Sequence, residues 1–473
     1  MKNEEMIHKY RWLSLVSVGL FTFMATLDGS IVNIALPTMS RDLGIEMNQA
    51  EWVVSVYLMA ICIFLLFFGR LSDSVGKVRV FKLGTFVFII GSLLCGIPGS
   101  LPLLLFSRVI QAVGASMTMS TSNGIITEVF PPQERGRALG LIGSFVSLGA
   151  IAGPGIGGII LSGLHWSYIF WINVPVGLIT IGIGWQFLPR HEVRKKVAID
   201  MVGFLLFTVF IITLFGGVFL GQEVGFGHWL VMLLFVIGLF SLAVFYRYEK
   251  TAEEPLVQLS LFTNKTFKIS LITATLIFVT NFFSNVILPF YLQEVRGIPT
   301  HQAGLLMMIF PLVMVVGAPI SGYLTDKKGP YLITLIGLTV VMLGQLGYVF
   351  MKESSPIAWF IIVTAMVGAG NAMFTAPNNT IIMSSVEKNH LGIAGSMNAL
   401  ARNFGMVLGI SLSTTILYQR MSLEYGEKVT GYITGRPDIF VKGMHTAYLA
   451  SFSICVVGLM MTLSRFKQSK KQK

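Results

Sequence analysis

Charge is scarce in this chain: Asp, Glu, Lys and Arg supply 12% of its 473 residues, while 54% are hydrophobic. That supply would not cover the surface of a soluble protein of this length, so the composition points to a polytopic membrane protein. Cysteine is scarcer still. Cys62, Cys95 and Cys455 lie far apart in apolar runs, which leaves no disulfide framework and no cysteine-based metal site. The seven histidines form no metal-ligand pair, and no nucleophile motif or nucleotide-binding loop is visible. Nothing therefore calls for a metal, a cofactor, ATP or an enzyme. A cleavable leader is also missing: the basic start runs into an apolar stretch of over twenty residues without a small-residue cleavage site, as in a retained first helix.

What the chain has instead is apolar length. Fourteen runs reach the roughly 20 residues needed to cross a bilayer: 13–36, 50–69, 80–98, 102–127, 138–163, 166–188, 200–221, 228–247, 268–292, 303–324, 331–351, 356–384, 392–418 and 444–465. The expected fold class is an all-α integral membrane protein. An even number of crossings places both termini on one side, and most Lys and Arg lie on that side. The opposite loops hold only Arg41, Arg296, Lys352, Arg420, Lys428, Arg436 and Lys442. Basic residues favour the cytoplasmic side, so both termini are expected there, in a cell membrane. The formal net charge of +12 is thereby explained by topology, without nucleic acid. The tail RFKQSKKQK, Arg465 to Lys473, is expected to contact anionic lipid.

The segment GRLSDSVGK, Gly69 to Lys77, recurs as GYLTDKKG, Gly322 to Gly329. Each lies between two spans, the second and third or the tenth and eleventh. The first six spans then correspond to the last six, and the seventh and eighth are inserted. The expected domains are residues 1–190 and 251–473, two six-helix bundles, with 191–250 as the inserted pair. Parallel repeats of this kind build many secondary transporters.

Asp28 is the one carboxylate that falls deep within a span; Glu51, Glu128, Asp200, Glu223 and Glu294 fall near span ends. A carboxylate at that depth costs roughly 2.5–3.5 kcal/mol on insertion scales. Two explanations are open: a group that gains and loses a proton, or a permanent charge that ties the first span to a neighbour.

With LDGSIVNIALP (Leu27 to Pro37), GRLSDSVGK, RVIQAVGAS (Arg108 to Ser116) and GAIAGPGIGG (Gly149 to Gly158), the chain resembles the major facilitator superfamily, in its fourteen-helix drug:proton antiporter branch. The resemblance covers nearly the whole length. It implies two six-helix bundles plus the inserted pair, and export of amphiphilic or cationic small molecules in exchange for protons by a monomer. It sets Arg108 beside Asp28 as the proton-coupling pair; an arginine keeps its proton, so its part is electrostatic. A fixed salt bridge is the alternative. Gly149, Gly153, Pro154, Gly157 and Gly158 correspond to the antiporter motif of the fifth span, expected to pack against the tenth span near Gly317, Pro319 and Gly322. Gly69, Asp73, Gly76, Lys77 and Asp326 correspond to a cytoplasmic gate, or to plain positive-inside topology. Four positions depart from the family pattern: Ala112 stands for a glycine, Ser74 and Val78 for basic residues, and Ser167 for an arginine.

Polar groups inside spans must face protein or a water-filled cavity. Asn33, Gln111, Asn281, Asn285, Asn378 and Arg402 are the candidate substrate-cavity residues, with Phe282, Phe283, Met307, Met308 and Phe374 as apolar walls. PNN, Pro377 to Asn379, is expected to interrupt the twelfth span, and WSYIFWINVPVG, Trp166 to Gly177, to anchor the sixth at the interface. With Asp28 alone at depth, one proton per cycle is expected, and Glu51, Glu128, Glu223 or Glu294 would supply any further acid. A lipid, a siderophore or a metabolite is an alternative cargo. A membrane enzyme or sensor is the alternative outside transport.

Overall fold

The structure is a computed structural model that describes residues 2–97, 99–131, 134–188, 200–253, 255–387 and 391–471; these are helical with short links and contain no strand. The helices are α1 (Lys2–Leu43), α2 (Met47–Val75), α3 (Lys77–Cys95), α4 (Leu101–Val129), α5 (Arg135–Gly163), α6 (Tyr168–Trp171), α7 (Asn173–Phe187), α8 (Met201–Val224) and α9 (Trp229–Glu249). They continue as α10 (Lys265–Phe290), α11 (Thr300–Met307), α12 (Ile309–Lys328), α13 (Pro330–Val349), α14 (Ile357–Ser384), α15 (Leu391–Tyr425) and α16 (Pro437–Lys471). Thirteen described segments are long and apolar enough to cross a membrane, and α5 adds the apolar stretch Ala152–Gly163. Many large apolar side chains are exposed, among them Phe86, Phe106, Ile159, Trp185, Phe240 and Val316. Lipid is the environment that accommodates such a surface, and the chain is a multi-pass membrane protein.

The chain forms two compact units. The first comprises Met1–Val32, Trp52–Gly153 and Gly163–Gln258. In it α3 and α4 meet almost backbone to backbone: a Cβ at Gly91 would strike the Gln111 main chain, and one at Gly114 the main chain of Phe88. Small residues allow this approach, which apolar helices in lipid exploit for van der Waals packing. The pair α8 and α9 belongs to this unit. Phe204 of α8 packs on Phe64 and Phe67 of α2, with ring centroids 5.9 and 4.7 Å apart, and Phe219 on Trp52 at 5.7 Å.

The second unit comprises Asn33–Glu51, Pro154–Ser162 and Leu259–Lys473. Here α13 and α14 repeat the device of α3 and α4. A Cβ at Gly337 would strike the Met373 and Phe374 main chain, and one at Gly370 that of Val341. The helix α14 runs unbroken through Pro377, so PNN does not interrupt it as the sequence suggested. Pro377 lies beyond the first turns, where a missing donor bends a helix without ending it when neighbours hold it. Phe283 and Phe374 are also relocated from the expected cavity wall. Phe283 is fully shielded, and Phe374 packs in a core with Ile277, Leu338, Val341 and Cys455.

Candidate functional site

Asp28 lies in the interior of the first unit with no exposure. Its position on α1 puts it opposite α4, whose Arg108 and Gln111 stand three residues apart and so share a helix face. Arg108 Nη1 donates to Asp28 Oδ2 at 2.7 Å, and Gln111 Nε2 donates to Oδ1 at 2.9 Å. A third donor comes from the N-terminus of α7: Asn173 Nδ2 reaches Oδ1 at 2.8 Å. The carboxylate thus has a guanidinium and two carboxamides in place of water, an arrangement suited to a negative charge.

The donors are themselves held. Arg108 Nε donates to the Val53 carbonyl at 2.9 Å, and Nη1 also donates to Gln111 Oε1 at 2.5 Å. Gln111 Nε2 further donates to Ser92 Oγ at 2.8 Å, and the Cys95 thiol points at Gln111 Oε1 from 3.7 Å. The guanidinium sits 4.2 Å from the Tyr57 ring centroid and 5.3 Å from that of Phe170. Arg108 Nη2 is buried without a hydrogen-bond partner. A buried ion pair with one idle donor is costly to hold as a purely structural tie, because desolvation consumes much of its Coulomb gain.

Asn173 was not singled out in the sequence, where its segment read as an interfacial anchor. Tyr168 is exposed accordingly, but Trp166 is 1% exposed and Asn173 is fully buried. A lone carboxamide in an apolar helix was the available signal.

The antiporter-motif residues divide between the units. In the first, Gly149 abuts the Phe23 carbonyl and Thr26 of α1, and a Cβ at Gly153 would fall on Ser30; Ser30 Oγ donates to the Gly149 carbonyl at 3.1 Å. In the second, the Pro154 carbonyl meets Gly304 and Gly158 meets Thr300 and His301, while Gly157 is buried. The partner of this stretch is therefore α11. Gly317 instead faces Ala372, and Gly322 has open space. The reason is steric: a main-chain approach needs a glycine on the partner, which Gly304 supplies.

The repeated loops adopt matching turns. Gly76 and Gly329 both have positive φ, +112° and +84°, and their N–H groups donate to the carbonyls four residues back, Ser72 at 2.9 Å and Thr325 at 2.8 Å. In the first, Gly69 lies near Ser120, Lys77 pairs with Glu128, and Arg70 donates to the Pro255 carbonyl. The side chains of Asp73 and Asp326 lie outside the described residues.

The remaining candidates do not join Asp28. Asn33 is buried in the second unit. Asn281 and Asn371 exchange carboxamide hydrogen bonds at 2.7 and 2.9 Å, and Asn285 Nδ2 donates to the Asn281 carbonyl at 3.1 Å. Asn378 Oδ1 accepts from Arg465 Nη1 at 2.8 Å; the same guanidinium donates to Ser270 Oγ at 2.6 Å and Thr334 Oγ1 at 3.0 Å. Arg465 is 1% exposed, so it does not belong to the lipid-facing tail in which the sequence placed it. Arg402 differs from all of these. It is partly exposed on α15 with no hydrogen bond or ion pair to a described residue, one turn from Asn398, whose Nδ2 donates to Asn379 Oδ1 at 2.9 Å.

Comparison with known proteins adds identity to this geometry. The sequence model of the Major Facilitator Superfamily matches residues 18–410. The riboflavin transporter RibZ of Clostridioides difficile (strain 630) is 34% identical over 468 residues, covering 98% of this chain and 99% of that protein. The multidrug export protein EmrB of Escherichia coli (strain K12) is 31% identical over 420 residues, covering 87% and 81%. Among solved structures, a peptide transporter POT bound to sulfate aligns with a TM-score of 0.70 at 13% identity, covering 96% of this chain and 94% of that one. An inward-facing bacterial homologue of the lysosomal transporter Spinster aligns at 0.67 and 15%, covering 98% of each chain. These structures share the fold.

Proposed function

The chain belongs to the Major Facilitator Superfamily, and from that premise we propose that it exports amphiphilic small molecules in exchange for protons, by alternating access. It is a multi-pass membrane transporter of small molecules by family. The antiport reading rests on one observation: Asp28 is fully buried, paired with Arg108, and enclosed by the carboxamide donors of Gln111 and Asn173. Taking up a proton there would release Arg108 and disturb α4 and α7 together, so protonation and helix arrangement are linked. In this reading Arg402 presents a guanidinium to the substrate, and Gly69 to Lys77 with Asp326 form the cytoplasmic gate. The protein acts as a monomer in the cell membrane, with both termini in the cytoplasm.

One proton entering down about 100 mV contributes roughly 2.3 kcal/mol, and one pH unit about 1.4 kcal/mol. That supports a gradient of several hundred-fold for a neutral substrate. The test is reconstitution in liposomes with an internal pH dye, adding lipophilic cations and neutral drugs. Substrate-driven proton flux is expected in the native protein, and its loss in Asp28→Asn. Substrate movement without proton flux in the native protein would overturn antiport.

A second reading is favoured by the riboflavin transporter, 34% identical over nearly both full lengths: export of one metabolite of flavin type. Riboflavin belongs in the same assay. Flux with riboflavin and none with the drug panel would establish the narrower reading.

A further inference from the structure

The described chain holds a second shielded carboxyl. Glu51, in the first turns of α2, is 2% exposed, and Tyr418 of α15 is 5% exposed. Both belong to the second unit. Tyr418 Oη donates to Glu51 Oε1 at 3.0 Å. Thr414, one turn before Tyr418, lies within hydrogen-bonding reach of Glu51, and its own hydroxyl donates to the Ile410 carbonyl at 2.9 Å. The Thr414 oxygen is therefore placed to accept a hydrogen.

These contacts differ from those of Asp28, which meets a guanidinium. No Lys, Arg or His among the described residues pairs with Glu51. The titratable groups facing it are Tyr418 and, beyond Tyr418, Glu46 in the link before α2. A carboxylate shut away from water without a cation is expensive, and such groups neutralise by holding a proton. A carboxylic acid both accepts and donates, matching Tyr418 as donor and Thr414 as acceptor.

We propose that Glu51 is a second proton-carrying carboxyl of the transport cycle, so that two protons enter per substrate exported. This rests on the antiport reading above. With Glu51 against Tyr418 the proton is held. When that contact opens to water, the Glu51 O–H bond breaks, the proton passes to water and the electron pair stays on the carboxylate. Reloading reverses the step. The expectation of one proton per cycle changes accordingly, and so does the electrical character. Exchange of two protons for a monovalent cation moves one net charge.

The test uses the full chain in liposomes with ethidium, a lipophilic monovalent cation, and riboflavin as probes. Protons per substrate and voltage dependence are measured for native protein, Glu51→Gln and Tyr418→Phe, with melting profiles as a folding check. The native ratio is expected to be two, falling to one in Glu51→Gln. For ethidium, 100 mV should steepen the native gradient about fifty-fold, equivalent to about 2.3 kcal/mol, and leave the Glu51→Gln gradient unchanged. Proton flux with the same ratio and voltage response in both would overturn this inference alone. Substrate movement without proton flux in the native protein would instead overturn the antiport reading. If Glu51→Gln does not assemble, Tyr418→Phe carries the test, because it keeps the carboxyl. A moved pH profile of coupling supports the proposal, and an unmoved one overturns it.

Discussion

At the scale of the residue, each donor to Asp28 carries a different expectation. Asn173 touches the carboxylate through one carboxamide and carries no charge, so Asn173→Ala removes a single hydrogen bond while Arg108 and Gln111 remain. A buried hydrogen bond to a charged group contributes about 1.5–3 kcal/mol. Under the antiport reading, Asn173→Ala should cut substrate-driven proton flux roughly tenfold or more and alter its pH profile, read in liposomes. Unchanged flux would make the carboxamide a packing group. Arg465 calls for the opposite outcome. Arg465→Leu strands Ser270, Thr334 and Asn378, at a cost of about 1–3 kcal/mol in stability. Melting in detergent should drop, while transport per folded molecule persists. Asp28 was legible in the sequence because charge within an apolar run is rare; Arg108 was set beside it by the family resemblance, and Gln111 was expected at the substrate cavity. Arg465 was not legible, because it adjoins a basic tail in sequence. Glu51 was legible only as one of four candidate further acids, since nearness to a span end says nothing about whether another helix covers it.

At the scale of the element, the repeat was legible as a pattern and its backbone reason was not. Gly76 and Gly329 end α2 and α12 with positive φ and no room for a regular continuation before α3 and α13. An L side chain in such a sparsely populated conformation costs on the order of 1–3 kcal/mol. Gly76→Ala and Gly329→Ala should therefore each lower the melting temperature, by similar amounts. Gly182, inside α7 with open space where a Cβ would stand, is the contrast. Gly182→Ala should be neutral or stabilising by up to about 1 kcal/mol, because alanine loses less backbone freedom in a helix. Equal losses at all three positions would remove the conformational explanation. Span positions were recoverable because apolar length is a local property of sequence. The tenth span was expected as the partner of α5 and contains Gly304, but the point of contact was not legible, because Gly304 rather than Gly317 is matched to Pro154 across 150 residues of chain.

At the scale of the whole molecule, parity of crossing decides which side each loop faces. Thirteen described segments qualify as spans, and α5, which runs 29 residues from Arg135 to Gly163 and of which Ala152–Gly163 is a described apolar stretch, would make the fourteenth. If α5 crosses, eight spans precede Thr251, and Thr251 shares a side with the N-terminus. If it does not, the two lie on opposite sides. The native cysteines allow a direct test, since Cys62, Cys95 and Cys455 are all buried and should not react with a membrane-impermeant maleimide. A cysteine placed ahead of Met1, Thr251→Cys and Ser354→Cys then report one side each. With fourteen crossings and the basic loops inside, only Ser354→Cys should label in intact cells, and the other two only after permeabilisation. Labelling of the N-terminal cysteine but not Thr251→Cys would make α5 a non-crossing helix. Labelling of the N-terminal cysteine and Thr251→Cys but not Ser354→Cys would keep the count and invert the molecule, while exchange would still export, because the proton gradient and not the orientation sets the direction of coupled flux.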